Sequence, residues 1–152
     1  MRSDCRLCAK LGSVSEGKNF LFVHEFRSSV LLVGDHQYFP GYCLLIAKRH
    51  VREIHDLPRF DRSSLFEELM MAGEAISISY KPWKLNYASF GNVDEHVHWH
   101  IMPRYESDPD HTENPFKNSS VFMQKPTSEK EALEVAAKIR FSLEILQRKH
   151  LQ

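Results

Sequence analysis

The sequence predicts an α+β domain, a mainly antiparallel five-stranded sheet with two helices on one face. Three runs of strand character precede a long helical stripe, and two more separate it from a second stripe. That order of strands, helix, strands, helix favours helices packed on one side of an antiparallel sheet over alternating βαβ units. The chain has 152 residues and 42% hydrophobic content, enough to build one real core.

Phe20 to His24 is the first strand, with Phe20 and Phe22 on one face, and Arg27-Ser28-Ser29 is a turn signal. Val30 to Val33 is a continuous apolar run closed by Gly34-Asp35, the pattern of a buried strand. Pro40-Gly41 marks a tight turn before a third strand, Tyr42 to Ala47. Asp56 is positioned to cap a helix that tolerates Pro58 in its first turn and runs to about Ser79. Leu57, Phe60, Leu65, Leu69, Ala72 and Ile76 form its apolar stripe, with Phe66 and Met70 beside it. Lys81-Pro82-Trp83 breaks it. Leu85 to Phe90 and Glu95 to Met102 are the fourth and fifth strands, and Ser107 to Ser120 is a polar loop. Ser128-Glu129-Lys130-Glu131 has capping-box spacing and opens the last helix through Leu133, Val135, Ala136, Ile139, Leu143 and Leu146. Residues 1–19 read as an N-terminal segment, 20–105 as the core, and 106–152 as a loop and helix of the same domain.

Lys+Arg and Asp+Glu both total 20, so the net charge is +0, which argues against a bulk nucleic-acid binder. No apolar run reaches the roughly 20 residues of a membrane helix. The polar start Met1-Arg2-Ser3-Asp4-Cys5 lacks a signal-peptide core, and the odd count of three cysteines suits a reducing compartment. Both point to a cytoplasmic protein.

Nine histidines are the compositional anomaly, and three fall at alternate positions in His96-Val97-His98-Trp99-His100. A strand places those three on one face and Val97, Trp99 and Ile101 on the other. Three imidazoles in a row are suited to a phosphate, a metal, or both. This run, preceded by Leu85-Asn86-Tyr87-Ala88-Ser89-Phe90-Gly91-Asn92 and followed by Ile101-Met102-Pro103-Arg104, resembles the signature of the histidine triad (HIT) family. Pro40-Gly41-Tyr42-Cys43-Leu44-Leu45-Ile46-Ala47-Lys48-Arg49-His50 resembles that family's earlier strand, usually Pro-Gly-His-x-Leu-Val-Ile-Pro-Lys-x-His.

The resemblance implies a HIT-like fold and a hydrolase acting at the α-phosphate of a nucleotide. It makes His98 the nucleophile, forming a nucleotidyl-histidine that water cleaves. An imidazole suits this because its ordinary pKa is about 6.5, so the neutral ring is abundant near pH 7. His96 and His100 would flank the phosphate. Asn92 would contact phosphate or leaving group, or serve only as a turn residue. Asp35 would accept from the ribose hydroxyls, with a turn role after Gly34 as the alternative. Phe20, Phe22 and Leu32 would line the base pocket. The implied substrates are dinucleoside polyphosphates or adenosine phosphoramidates, and the implied partners are a purine nucleotide and a second copy in a homodimer. A nucleotidyltransferase, or a nucleotide-binding or zinc-bound adaptor with little turnover, is the alternative. No cofactor is required for this chemistry.

Cys5-x-x-Cys8 has metal-ligand spacing. Some HIT proteins close a structural zinc site with such a pair, the histidine after the Lys-x-His strand and the first triad histidine. Cys5, Cys8, His50 and His96 match that set, and the alternative is two reduced thiols. Zinc would withdraw His96 from the phosphate. Two departures stand out: Tyr42 replaces a usual histidine and Ala47 a usual proline, both read as tuning the support of the site. Cys43 is a small buried residue, and Arg104 is placed to reach phosphate. Lys48, Arg49 and Arg52 form a solvated exit from a strand. His24, His36, His55 and His150 read as surface residues, and His111 as near substrate or partner.

Overall fold

The computed structural model of the chain describes residues 4–108, 110–118 and 125–149. Its five strands are β1 (Phe22–Glu25), β2 (Ser29–Val33), β3 (Cys43–Ala47), β4 (Lys84–Ala88) and β5 (His98–Arg104). They form one sheet in the order β1-β2-β3-β5-β4, and every pairing is antiparallel. Three helices accompany it: α1 (Arg6–Ser15), α2 (Arg59–Tyr80) and α3 (Glu129–Lys149). The α+β class and the five strands are as the sequence implies, and α1 is an addition. No described helix is long and apolar enough to cross a membrane.

Register divides the sheet into two faces. Leu44 pairs with His100 and Ile46 with His98, so these four share a face with Leu32 and Val30 of β2. Leu45 pairs with Trp99 and Cys43 with Ile101 on the reverse. There α2 meets β5 through Phe66, whose ring lies 5.8 Å from that of Trp99. α3 is tied to α2 by a 2.8 Å hydroxyl contact between Ser79 and Ser142. It is also tied to β1, because Arg140 donates to the carbonyls of Phe22 and Val23. Leu65, Leu69, Ala72 and Ile76 of α2 and Val135, Ala136, Ile139, Leu143 and Leu146 of α3 are buried, the stripes the periodicity marks. Phe60, Phe66, Met70 and Leu133 remain exposed.

α1 covers the histidine face. Leu7 and Leu11, one turn apart, join the core, and Cys5 takes the N-cap position, its sulfur accepting from the N–H of Cys8. Gly12 and the serines that follow mask this short stripe in the sequence.

Boundaries shift where local chemistry decides them. α2 begins after Pro58; Asp56 lies in a 3-10 turn, Ile54–Asp56, and does not cap the helix. At its other end Lys81 turns the chain with φ of 48° and donates its N–H to Ser77 O. Ser128 Oγ accepts from the N–H of Glu131, as capping-box spacing requires. β5 opens at His98 rather than Glu95, since the N–H of Val97 turns away to bond Val51 O. Gly41 takes φ of 88° in the turn that aims Tyr42 back at the sheet, and Tyr42 N–H bonds Phe39 O. Phe20 and Tyr42 lie just outside the strands they were expected to open. His150, Ser119 and Ser120 lie outside the described residues.

Candidate active site and metal centre

The triad divides between two sites, both on the side of the sheet that α1 covers. His96 is fully buried and faces α1. Its Nε2–H donates to Ala47 O at 2.7 Å, which leaves the Nδ1 lone pair for other use. That Nδ1 lies 3.5 Å from Cys5 Sγ, 3.7 Å from Cys8 Sγ and 3.3 Å from His50 Nδ1, and Cys8 Sγ lies 3.4 Å from His50 Nδ1. All four ligand atoms fall within 4.8 Å of one another. Zn–N bonds of about 2.0–2.1 Å and Zn–S bonds of about 2.3 Å at tetrahedral angles set N···N and N···S edges of roughly 3.3 and 3.6 Å. The donor set, its spacing and its oriented imidazole therefore fit one tetrahedral cation. Burial and the neighbouring His50 and His98 hold His96 below the ordinary histidine pKa. The ring is thus kept in the neutral form a metal requires.

His98 and His100 face the other site, a cavity of about 300 Å³ lined also by Arg6, Leu7 and Lys10 of α1, by Asp35, His36, Tyr42, Leu44 and Asp94, and by Phe116 from the loop after β5. That volume is at the lower end of small-molecule pockets. His98 Nδ1 lies 2.6 Å from the carbonyl of His96. A carbonyl only accepts, so Nδ1 carries the proton and Nε2 keeps its lone pair. His100 sits beside it with ring centroids 5.1 Å apart. Tyr42 Oη is 2.7 Å from His100 Nδ1, and burial raises the Tyr42 pKa far above its ordinary value, so the phenol keeps its proton. Nδ1 is the one hydrogen-bond partner of that hydroxyl among the described residues, so donation to Nδ1 is the arrangement that leaves no buried O–H unpaired. Burial first, then the proximity of His98 and His36, lowers His100 to about 4. It is neutral at physiological pH, with its Nε2–H left for the cavity.

Charges at the mouth are paired. Arg6 forks onto both carboxylate oxygens of Asp94 at 2.9 and 2.8 Å, and Lys10 pairs with Asp35. The backbone on either side of Asp35 is pinned by Thr127, whose hydroxyl donates to Gly34 O and whose N–H donates to Asp35 O.

The structure brings His98, His100 and Asp35 around one cavity and places His96 with Cys5, Cys8 and His50. Asn92 is exposed and outside the cavity lining. Leu32 is fully buried on the histidine face, in the core with Leu7 and Leu11. Phe20 and Phe22 also stand outside the lining. Arg104, expected near phosphate, is buried. It organises the loop after β5, bonding Asp108 and the carbonyls of Asp110 and Glu113. His36, expected on the surface, is buried and stacked on Tyr42 at 4.7 Å. His111 packs edge-on against Trp83 at 5.0 Å. Lys48, Arg49 and Arg52 pair with Glu25, Asp61 and Glu95. Arg6 and Lys10 depend on α1, whose Leu7/Leu11 spacing is the signal that points to it. Phe116, inside a polar loop, carries no signal that separates it from its neighbours.

The model of the HIT domain family matches residues 17–107. The chain belongs to the HIT family. Among solved structures it is similar to a hypothetical histidine triad nucleotide-binding protein from Sulfolobus tokodaii, with 22% identity over 93% of this chain and 95% of that one and a TM-score of 0.73. It also resembles a histidine triad protein from Marinobacter aquaeolei, with 26% identity over 82% and 89% of the two chains and a TM-score of 0.70. A third is a Zn-bound histidine triad family protein from Mycobacterium smegmatis, with 18% identity over 96% and 97% of the chains and a TM-score of 0.69. No curated protein matches significantly.

Proposed function

We propose that this HIT protein hydrolyses a phosphoanhydride or phosphoramidate bond at the α-phosphate of a purine nucleoside 5′-phosphate, through a nucleotidyl intermediate on His98. The observation that carries the reading is the 2.6 Å contact between His98 Nδ1 and the His96 carbonyl, which fixes the tautomer with a nucleophilic Nε2 in a ring that lines the cavity. Nε2 bonds to phosphorus as the leaving group departs. Water then displaces the imidazole, and the pair of the N–P bond returns to Nε2. The charge this places on the ring is eased by the carbonyl at Nδ1–H. His100 Nε2–H donates to a non-bridging oxygen. Asp35 receives the ribose hydroxyls, with Lys10 beside it, and Leu7, Leu44 and Phe116 supply apolar walls.

Cys5, Cys8, His50 and His96 hold a structural zinc in this reading. When bound it supplies a cross-link between α1 and the sheet. A homodimer is supported by the exposed aromatic residues Trp83, Tyr87 and Phe90, which lie just before, within and just after β4, an edge strand of the sheet. The three cysteines are free of disulfides, as a reducing cytoplasm would keep them.

The test is release of AMP from diadenosine tetraphosphate and from adenosine 5′-phosphoramidate by wild type and by His98→Ala. Loss of at least about a thousandfold in kcat for the variant, with the fold retained, is expected for deletion of a nucleophile. Equal activity in the two proteins overturns the mechanism. Turnover only when a second nucleophilic acceptor is supplied replaces hydrolase with transferase.

A further inference from the structure

Tyr42 stands between two histidines. Its ring stacks on His36 at 4.7 Å and runs nearly parallel to His100, with centroids 6.0 Å apart and 11° between planes. Its hydroxyl meets His100 Nδ1 at 2.7 Å. The phenol is 5% exposed and is packed so tightly that a Cβ on Gly34 would fall inside its ring. Neither partner can turn away without disturbing the cavity wall.

The groups that face His100 are few. His98 lies on its own strand, and His36 and Asp35 follow β2. Tyr42 precedes β3, Lys10 and Arg6 come from α1, and Asp94 comes from the turn before β5. The two carboxylates are each matched by a cation, Lys10 for Asp35 and Arg6 for Asp94. Asp35 favours a proton on His100 but is itself matched by Lys10 and outweighed by burial and the neighbouring His98 and His36, and the hydrogen bond at Nδ1 is one in which the phenol donates. Protonating that nitrogen would require Tyr42 Oη to turn from donor to acceptor inside a packed core.

We propose that Tyr42 locks His100 as a neutral Nε2–H donor, and that the site therefore takes phosphoanhydrides, whose leaving group departs as an anion, in preference to phosphoramidates, whose leaving nitrogen must gain a proton. This rests on the hydrolase reading above and names its substrate class. In an anhydride, His98 Nε2 bonds to the α-phosphorus and the bridging P–O pair leaves with oxygen as a stable phosphate anion. No proton is needed. In an amidate, the departing pair would reside on nitrogen as an amide anion, so a proton must arrive before the bond breaks. A neutral His100 gives up its Nε2 proton poorly, because that would leave an imidazolate. Burial agrees, holding the ring as a weak base at about pH 4.

The experiment uses wild type and Tyr42→Phe, with diadenosine tetraphosphate and adenosine 5′-phosphoramidate as substrates, and reads the His100 ring nitrogens by NMR. In wild type, Nδ1 should be unprotonated and Nε2 protonated down to about pH 5, and the kcat/KM ratio should favour the anhydride by about a hundredfold or more. Tyr42→Phe should lose about tenfold on the anhydride, as expected for one hydrogen bond of about 1 kcal/mol or slightly more. It should also raise the apparent pKa of His100 and narrow the ratio. A wild-type preference for the amidate overturns the proposal. So do unchanged His100 signals and an unchanged ratio in the variant. Activity independent of His98 would instead refute the hydrolase reading, while the NMR arm would still report on the Tyr42–His100 pair.

Discussion

Removing zinc from the Cys5–Cys8–His50–His96 centre is expected to lower the melting temperature by about 8–16 °C without unfolding the chain at room temperature. A ligand present at a thousand times its Kd stabilises the folded state by about 4 kcal/mol, and a chain of this length shifts by about 2–4 °C per kcal/mol. The site makes such binding credible. Its N···N distance of 3.3 Å and N···S distances of 3.4–3.7 Å are already those of a coordination tetrahedron, so little reorganisation opposes the metal. Leu7 and Leu11 in the core, the Arg6–Asp94 fork and the Lys10–Asp35 pair keep α1 in place without it. The assay is metal content by mass spectrometry, with thermal melts after chelation, after zinc is restored, and in Cys8→Ser. One zinc per chain, a reversible loss of stability on chelation, and a variant that no longer responds are expected. A wild-type protein that takes up no zinc, with a melting temperature indifferent to chelator and metal, refutes the assignment.

Other consequences can be checked separately. Gly34→Ala puts a Cβ into the Tyr42 ring. It should cost about 1–3 kcal/mol in urea unfolding and cut kcat together with stability, because Tyr42 carries His100; an active variant of normal stability would show that the ring is not held there. Glu68 is buried and accepts from Ser28 N–H at 2.9 Å and Ser29 Oγ at 2.5 Å, so Glu68→Ala should destabilise by about 3 kcal/mol while kcat/KM stays within about twofold. His100 is lowered in the folded protein to about 4 from 6.5, so between those values the unfolded chain binds a proton the native one does not. Stability should therefore fall as pH drops through this window, by about 2 kcal/mol at pH 5, and His100→Asn should remove that part of the slope in thermal melts.

How much of this was legible in the sequence depended on periodicity and on the range of the contacts. The sheet was legible because short apolar runs closed by turn residues mark β2 and β3, alternation marks the histidine strand, and long stripes mark helices. Leu65, Leu69, Ala72 and Ile76 are buried where a 3.6-residue period puts them. The four potential metal ligands were legible through the family resemblance, and their convergence needed the fold, since Cys8 and His96 are 88 positions apart. α1 was obscured because a ten-residue helix with three buried side chains, Leu7, Cys8 and Leu11, shows too few periods to rise above Gly12, Ser13 and Ser15. With it went Arg6 and Lys10. The base-pocket candidates show a different limit. Leu32 is apolar and close to the site in the chain, but its face follows only from strand register and its burial only from tertiary packing. His36 and Arg104 are polar residues whose burial depends on partners distant in the fold or held by an irregular loop, which no local pattern encodes.

The central claim is that His98 becomes covalently nucleotidylated. The most direct test follows substrate labelled at the α-phosphate, quenched within one turnover at alkaline pH, where a phosphohistidine survives, and maps the label by peptide mass spectrometry. The account predicts label on the peptide at His98 Nε2, formed and discharged at rates compatible with kcat and absent from His98→Ala. Full turnover with no label on the protein at any time, or label on another residue, would contradict it.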